Sequence, residues 1–324
     1  MTKILEVEDL KTYFYTRSGV VKAVDGVSLS LEHGQTLGIV GESGSGKSVA
    51  MMSILGLIPK PPGKIVGGRA MYRDKDLLRL SPKDLRRIRG KSISMIFQDP
   101  MTALNPYLTV GTQLAEVLTQ HEGLSNRQAM IRAIDGLAQV GIPDPEKQVT
   151  SYPHQFSGGM RQRVMIAMAI IAKPELLIAD EPTTALDVTV QAQILELLKK
   201  LQHDNGMSLI LITHDLGVVA GISDEVLVMY AGRPVERGTA DDIFYRHSHP
   251  YTTGLLHSIP RIDDPSSMLT PIPGLPPDPS RLPPGCPFAP RCGSVMDVCR
   301  SATAMPVRRH EGNHQSVCHL EVVP

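Results

Sequence analysis

A glycine-rich stretch at residues 41–48 has the residue types and the spacing of a loop that binds polyphosphate. It reads Gly-Glu-Ser-Gly-Ser-Gly-Lys-Ser and fits the pattern G-x-x-x-x-G-K-[ST]. Its glycines let the backbone turn several N–H groups inward, because no Cβ atoms stand in the way, and these groups converge on phosphate oxygens. The residues predicted to surround the phosphates are Gly41, Ser43, Gly44, Ser45, Gly46, Lys47 and Ser48. Lys47 is predicted to reach the β- and γ-phosphates and the Ser48 hydroxyl to bind Mg²⁺, which indicates a site for a nucleoside triphosphate.

Two carboxylates follow an apolar run at residues 176–179, Leu-Leu-Ile-Ala. The run has the character of a buried strand, which would present Asp180 to Mg²⁺ and Glu181 to the γ-phosphate. A carboxylate in the second position can polarise an attacking water, so Glu181 is the candidate general base. Taken alone, an apolar run followed by Asp-Glu-Pro occurs equally often before an ordinary loop without catalytic function. Together with the phosphate loop, it indicates hydrolysis of the nucleotide.

Short apolar runs alternate with helical patterns from the start of the chain to about residue 240. The runs lie at residues 37–40, 93–97, 176–179, 209–212 and 226–230. Such alternation predicts a largely parallel, helix-covered sheet with its ligand residues at the carboxyl ends of strands. The first run precedes the phosphate loop and a helical pattern follows it, as this type of loop requires. Between about residues 105 and 152 the strand signal disappears, which predicts a helical insertion into the α/β core.

The composition is that of a globular protein without net charge. Of 324 residues, 42% are hydrophobic and 20% are charged, and 33 Lys and Arg balance 33 Asp and Glu. This balance excludes a strongly basic nucleic-acid footprint over the whole chain. The longest apolar run, residues 164–172, is too short for a membrane-spanning helix, which needs about 20 residues. Acidic residues stand where a signal peptide would be apolar, so we expect a cytosolic protein whose role at a membrane is exerted through a partner.

Residues 156–163, Phe-Ser-Gly-Gly-Met-Arg-Gln-Arg, resemble the signature sequence of the ATP-binding cassette (ABC) ATPases. They precede the Asp-Glu pair, as in that family. Gln98 resembles the family's Q-loop residue, residues 185–187 (Ala-Leu-Asp) its D-loop, and His214 its switch histidine. The resemblance implies a P-loop NTPase of the ABC cassette type, with a RecA-like α/β core, an antiparallel β edge and a helical subdomain.

The resemblance also implies roles around ATP. Phe14 resembles the aromatic residue that stacks on adenine, with Tyr13 as the alternative. His214 is implied to hydrogen-bond the γ-phosphate, and Gln98 to contact Mg²⁺ or water. The implied Mg²⁺ ligands are Ser48, Gln98 and Asp180, and the implied catalytic residues are Glu181, His214, Gln98 and Lys47.

The signature offers a second set of backbone donors for phosphate. Ser157 would open a helix with Gly158 and Gly159 behind it, a typical anion cradle. Because one chain already has a phosphate loop, a second cradle implies a second molecule. In the family, two cassettes pack head to tail and this cradle closes on the partner's nucleotide. The resemblance also implies that Asp187 binds nucleotide. A lone chain is therefore expected to be a poor ATPase.

Several segments are similar to bacterial dipeptide and oligopeptide importer ATPases. They are residues 98–106, 156–160, 245–252, 273–274, 285–292 and 318–319. The similarity implies a peptide importer subunit at the cytoplasmic face of the inner membrane. Its implied partners are a second, paralogous ATPase, two membrane permeases and an extracytoplasmic peptide-binding protein, with no nucleic acid. The related nickel importers share much of this pattern, so nickel or another solute is the alternative cargo.

All four cysteines lie near the carboxyl end, at Cys286, Cys292, Cys299 and Cys318. Four soft ligands in a proline-rich part of a cytosolic protein favour a thiolate metal site over disulfides or merely buried thiols. Their spacing fits neither the C-x₂-C pairs of common zinc modules nor the common ferredoxin patterns, so the residues alone leave the metal open. The importer resemblance implies a [4Fe–4S] cluster, with zinc as the alternative.

The predicted organisation has three parts. Residues 1–104 and 153–240 form the nucleotide-binding core, residues 105–152 the helical insertion, and residues 241–324 the extension with the cysteines. Nine prolines between residues 271 and 290 exclude regular helix or central strand there and indicate an extended linker. The rival functions are a nucleic-acid-linked ABC protein in repair or translation, and a regulatory ABC ATPase whose cysteines sense redox state.

Overall fold

The structure, a computed structural model, describes residues 2–99, 103–184, 186–258, 270–301 and 304–321. The chain divides into two compact units. The first comprises Met1–Glu32, Thr36–Arg79 and Ile212–Pro324, and the second His33–Gln35 and Leu80–Leu211.

The first unit contains a four-stranded antiparallel sheet in the order β2-β1-β4-β5. Its strands are β1 (Lys3–Thr16), β2 (Gly19–Glu32), β4 (Gly63–Tyr72) and β5 (Lys75–Asp76). The predicted antiparallel edge is therefore present.

A second set of strands in this unit carries the phosphate loop. Strand β3 (Thr36–Val40) pairs in parallel with β9 (Glu225–Tyr230), which pairs antiparallel with β10 (Arg233–Thr239). The short strands β11 (Val307–Arg309) and β12 (Gln315–Val317) extend this sheet from β10. Strand β3 is buried along its whole length, as expected for an interior parallel strand. The helices of the unit are α1 (Lys47–Ile54), α8 (Leu216–Ala220), α9 (Ala240–Tyr245), α10 (Pro250–His257) and α11 (Asp297–Arg300).

The second unit combines buried strands with most of the longer helices. Strand β6 (Ile93–Ile96) pairs in parallel with β7 (Leu176–Asp180), and β8 (Ser208–Thr213), whose last two residues are counted with the first unit, lies beside β7. The helices are α2 (Pro82–Ile88), α3 (Val110–Glu122), α4 (Asn126–Gln139), α5 (Pro145–Gln148), α6 (Gly158–Ile170) and α7 (Val188–Asn205). Helix α4 begins with a capping box, in which the Ser125 side chain accepts from the Gln128 backbone and the Gln128 side chain accepts from the Ser125 backbone.

The predicted strands and the helical character of residues 105–152 are confirmed. All five apolar runs form strands, β3 and β6 to β9, and residues 105–152 contain α3, α4 and α5 and no strand. Residues 270–288 contain neither a helix nor a strand, as their prolines predict. No helix in the described parts of the chain has the length and apolar character that crossing a membrane requires.

Candidate active site

The phosphate loop connects β3 to α1 in the first unit, and two of its glycines lie where no side chain fits. Gly41 has a φ of +149°, and a Cβ there would be 2.2 Å from the carbonyl oxygen of Met229. Gly46 has a φ of +97°, and a Cβ there would be 2.3 Å from the carbonyl oxygen of Ala23. Backbone packing therefore requires glycine at both positions, in addition to any demand of a ligand.

Lys47, the first residue of α1, lies along the inside of this loop. Its side chain is buried, and Nζ donates to the carbonyl oxygens of Gly41 at 2.7 Å and Glu42 at 3.0 Å. Helix α1 has no side-chain cap and no acidic residue in its first turn. Its first N–H groups and the positive end of its dipole thus favour an anion, beside a fixed ammonium group.

The second unit brings two predicted catalytic residues into direct contact. In the parallel pair of β6 and β7, Ile96 lies opposite Ala179, so Gln98 and Glu181 both follow the carboxyl ends of adjacent strands. Gln98 Nε2 donates to Glu181 Oε2 at 2.8 Å. Each residue was predicted at a strand end, but their contact with each other was not.

Glu181 has a strained backbone that its neighbours maintain. Its φ of +46° lies in the left-handed region, which costs a non-glycine residue about 1–3 kcal/mol. Thr184 Oγ1 donates to Glu181 Oε2 at 2.8 Å, and the Thr184 backbone N–H donates to the Glu181 carbonyl at 3.2 Å. The side chains of Gln98 and Thr184 both donate to Oε2, and together they fix the direction of the Glu181 carboxylate. Thr184 was missed from the sequence, where its only signal was the Thr-Thr pair in the turn after Asp-Glu-Pro.

Asp180, the predicted Mg²⁺ residue, ends β7 and is 4% exposed. A carboxylate buried to this degree requires compensating positive charge or hydrogen bonds. The hydroxyl of Ser48, the amide of Gln98 and this carboxylate are oxygen ligands of the kind that Mg²⁺ binds. The chemistry of the three predicted ligands therefore fits this ion.

The signature residues form the start of α6, also in the second unit. Ser157 Oγ accepts from the Met160 backbone N–H at 3.3 Å and so caps the helix. A Cβ on Gly159 would be 2.8 Å from Val190 Cγ1, whereas a Cβ on Gly158 would be 3.7 Å from its nearest neighbour, Leu186 Cδ2. Gly159 is therefore required for packing within the chain, and the exposed Gly158 is not.

The remaining predicted residues occupy three other places. Asp187 caps α7, because its Oδ1 accepts from the Val190 backbone N–H at 3.0 Å. This structural role was not predicted. Ala185 of the predicted D-loop lies outside the described residues. His214 is exposed immediately after β8 and belongs to the same unit as the phosphate loop.

Of the two aromatic candidates on β1, Tyr13 forms a side-chain hydrogen bond within the protein. Its hydroxyl donates to Asp25 Oδ1 at 2.7 Å, and Asp25 pairs with Arg233 at 2.6 Å. Burial and the hydrogen bond to Asp25 raise the pKa of Tyr13 to about 12. Phe14 is half-buried and has no polar group to satisfy, which favours it as the adenine platform.

The four cysteines are free thiols that line one small cavity in the first unit. Backbone N–H groups of Phe288 and Ala289 donate to the Cys286 sulfur. The Leu320 N–H donates to Cys318 Sγ at 3.4 Å. Burial raises the pKa of the Cys286 thiol to about 11. Within the described ranges, no three His, Cys, Asp or Glu side chains are arranged to hold a metal ion, so the predicted metal site finds no support here.

Comparisons with known proteins give this geometry a context. The family model "ABC transporter" matches residues 24–184, and the model "Oligopeptide/dipeptide transporter, C-terminal region" matches residues 235–299. The chain is 58% identical to the dipeptide transport ATP-binding protein DppD of Bacillus subtilis, over 92% of this chain and 89% of that protein. It is 54% identical to the oligopeptide transport ATP-binding protein OppD of Salmonella typhimurium, over 92% and 89%.

Solved structures agree on the fold. The ATP-binding cassette MJ0796, in a dimeric post-hydrolysis state with ADP and Pi, superposes with a TM-score of 0.65 at 27% identity, over 73% of this chain and 98% of that one. The protein cbiO1 of Clostridium perfringens, part of the ABC transporter complex cbiONQ, gives 0.64 at 29% identity, over 75% and 91%.

Proposed function

The chain belongs to the ABC transporter family as an ATP-hydrolysing subunit of the dipeptide and oligopeptide importer type, and we propose how its residues and partners carry out that function. The observation that carries the proposal is the succession of two matches in one chain. The ABC transporter match at residues 24–184 covers the phosphate loop and Glu181, and the peptide-transporter match at residues 235–299 follows it. The second match favours peptides over nickel as cargo, and a transporter over a nucleic-acid-linked ATPase.

The roles of the site residues follow from their chemistry. The backbone N–H groups of the phosphate loop and the Lys47 ammonium bind the β- and γ-phosphates, and Phe14 stacks on the adenine. Mg²⁺, held by Ser48, Gln98 and Asp180, neutralises phosphate charge when it is bound. Glu181, oriented by Gln98 and Thr184, accepts a proton from the attacking water, and His214 hydrogen-bonds the γ-phosphate.

The proposed function requires several partner proteins. We propose that a second, paralogous ATPase pairs with this chain. In the pair, Ser157, Gly158 and Gly159 of this chain would contact the nucleotide that is bound to the phosphate loop of the second ATPase. Two membrane permeases hold the pair at the cytoplasmic face of the inner membrane, and an extracytoplasmic protein delivers the peptide. ATP drives the cycle because it binds the closed pair more tightly than the open pair.

We expect a peptide-loaded binding protein to stimulate ATP hydrolysis by the reconstituted transporter several-fold. Phosphate release from transporter in lipid nanodiscs measures the effect, with the same binding protein free of peptide as the control. A binding protein loaded with nickel should give no stimulation. Stimulation by nickel but not by dipeptides or oligopeptides would contradict the proposed cargo.

We also propose that the four cysteines hold a [4Fe–4S] cluster. What supports this proposal is that all four cysteines line one small cavity. The N–H donors to Cys286 and Cys318 are of the kind that stabilise cluster-bound thiolates. The cavity, about 10 Å³, has to widen to admit a cluster. A bound cluster would be redox-active and would cross-link a part of the chain that has few helices or strands, and so stabilise it.

Protein purified without oxygen is expected to be brown and to contain about four iron atoms per chain. Iron analysis and visible absorption measure this, and Cys299→Ser should remove both signals. Stoichiometric zinc without iron would reverse the assignment, and metal-free protein with full transport activity would refute it.

A further inference from the structure

An ion pair connects the carboxyl-terminal extension to the phosphate loop. Glu42 is the second residue of the loop, and Arg291 ends a 3-10 turn at Ala289–Arg291, between Cys286 and Cys292. Arg291 Nη1 donates to Glu42 Oε2 at 2.6 Å, and Arg291 Nη2 donates to Glu42 Oε1 at 3.0 Å. This is the two-pronged geometry that only an arginine can offer to a carboxylate.

Arg291 is held rigidly in the extension. Its side chain is 4% exposed, and all five of its N–H donors are used. Besides Glu42, they reach the Pro273 carbonyl at 2.9 Å, the Ile272 carbonyl at 3.4 Å and the Tyr230 hydroxyl at 3.3 Å. The guanidinium therefore has one orientation, in which it binds the Glu42 carboxylate.

Tyr251 holds the same loop residue by its backbone. The Tyr251 hydroxyl accepts from the Glu42 backbone N–H at 2.8 Å, and the tyrosine is completely buried. Its ring packs against Tyr230 and Phe288, with centroids 4.6 Å and 5.3 Å away. This aromatic cluster fixes the hydroxyl in place.

Glu42 thus lies between the extension and the ligand-binding face of the loop. Its carboxylate binds Arg291 and its N–H binds Tyr251, while its carbonyl oxygen accepts from Lys47 Nζ at 3.0 Å. The loop has three glycines in six residues, so its bound conformation is costly in backbone entropy unless other groups restrict it. Groups anchored elsewhere in the unit can supply that restriction.

We propose that Arg291 and Tyr251 are positioning residues that hold the phosphate loop in its ATP-binding conformation through Glu42. This role rests on the proposed assignment of residues 41–48 as the phosphate loop. Both residues lie outside residues 41–48 and bind Glu42 within them. Each restricts the conformations of the loop before ATP binds. Less conformational entropy is then lost when the loop's N–H groups and Lys47 bind the phosphates.

Replacing Arg291 with alanine tests the proposal. We expect the Kd of the full chain for a fluorescent ATP analogue, and the KM for ATP of the assembled transporter, to rise about ten-fold, while kcat changes less than about three-fold. Arg291→Lys keeps the charge without the two-pronged geometry and should fall between the alanine variant and the wild type. Glu42→Ala should weaken ATP binding similarly, and the double variant should be no weaker than either single one.

Arg237→Ala is the matched control. Arg237 forms another partly buried ion pair in the same unit, with Glu225 at 2.5 Å, and its other hydrogen-bond partner, Ser30, lies outside residues 41–48. We expect it to lower Tm as Arg291→Ala does but to leave the ATP Kd unchanged. If Arg291→Ala lowers Tm and leaves both the Kd and the KM at wild-type values, Arg291 only stabilises the fold and the proposal is wrong.

Tyr251→Phe provides an independent test if Arg291→Ala does not fold. It removes one hydroxyl, keeps the ring packing and leaves the Glu42 N–H without this acceptor, so we expect an about three-fold weaker ATP Kd. An unchanged Kd would overturn the role of Tyr251. Failure of the wild-type chain itself to bind the ATP analogue would instead refute the assignment of the phosphate loop.

Discussion

Glu181→Gln is expected to leave ATP binding intact and to lower hydrolysis by the assembled transporter by about 10²–10⁴-fold. Glutamine has the shape of glutamate, and its side-chain oxygen can still accept from Gln98 and Thr184, which now donate to Glu181 Oε2 at 2.8 Å each. The strained backbone at residue 181 is unaffected by the change. What the amide cannot do is take a proton from water, so the loss should appear in kcat and not in the KM for ATP.

Phosphate release and retention of ATP by the variant transporter measure this effect. Glu196→Gln, the same change at an exposed position of α7 in the same unit, is the control and should behave as the wild type. Phosphate release at the normal rate by the Glu181 variant in the assembled complex would defeat the assignment of Glu181 as the general base.

The sequence was sufficient to predict those parts of the site that are local. The phosphate loop depends on a strand, a glycine pattern and a helix that are contiguous, and all three were predicted. Strands β3 and β6 to β9 were predicted because buried parallel strands are short, uninterrupted apolar runs. The positions of Gln98 and Glu181 at strand ends followed from the same runs.

Contacts between distant segments could not be predicted in this way. The bond between Gln98 and Glu181 depends on the register of β6 against β7, which no local pattern encodes. The same holds for Arg291 and Glu42, which are separated by most of the chain. Asp187 is a different case, because its role as the cap of α7 is local; it was predicted to bind nucleotide, and the cap was overlooked.

The long strands of the antiparallel sheet were missed as individual elements. Their alternation is interrupted where the pairing of β1 shifts between Val7 and Leu10 and again before Lys11. Asp9, with a φ of +46°, lies in this irregularity. A period of two residues broken by such bulges does not stand out in a sequence, although the pairing in the folded sheet is extensive.

Gly158→Asp is expected to lower ATP hydrolysis by the assembled transporter by about 10²-fold or more while leaving ATP binding by the isolated chain unchanged. The chain itself tolerates the substitution, because a Cβ at this position meets nothing closer than Leu186 Cδ2 at 3.7 Å. A negative charge at the first position of α6 even favours the helix dipole. Any large loss must therefore come from a second molecule. We propose that this molecule is the partner ATPase with its nucleotide, whose γ-phosphate the new carboxylate would repel.

Asn126→Asp is the matched control, since it introduces the same carboxylate at the exposed first position of α4, in the same unit. It should retain hydrolysis at the wild-type rate. Phosphate release from the transporter, ATP binding by the isolated chain and the Tm of both variants separate the possible causes. A Gly158→Asp transporter that hydrolyses ATP at the wild-type rate would mean that no nucleotide is held against the start of α6, and that each ATPase works without its neighbour. Weakened ATP binding by the isolated variant would instead place the start of α6 at the chain's own nucleotide, and would contradict the shared site equally.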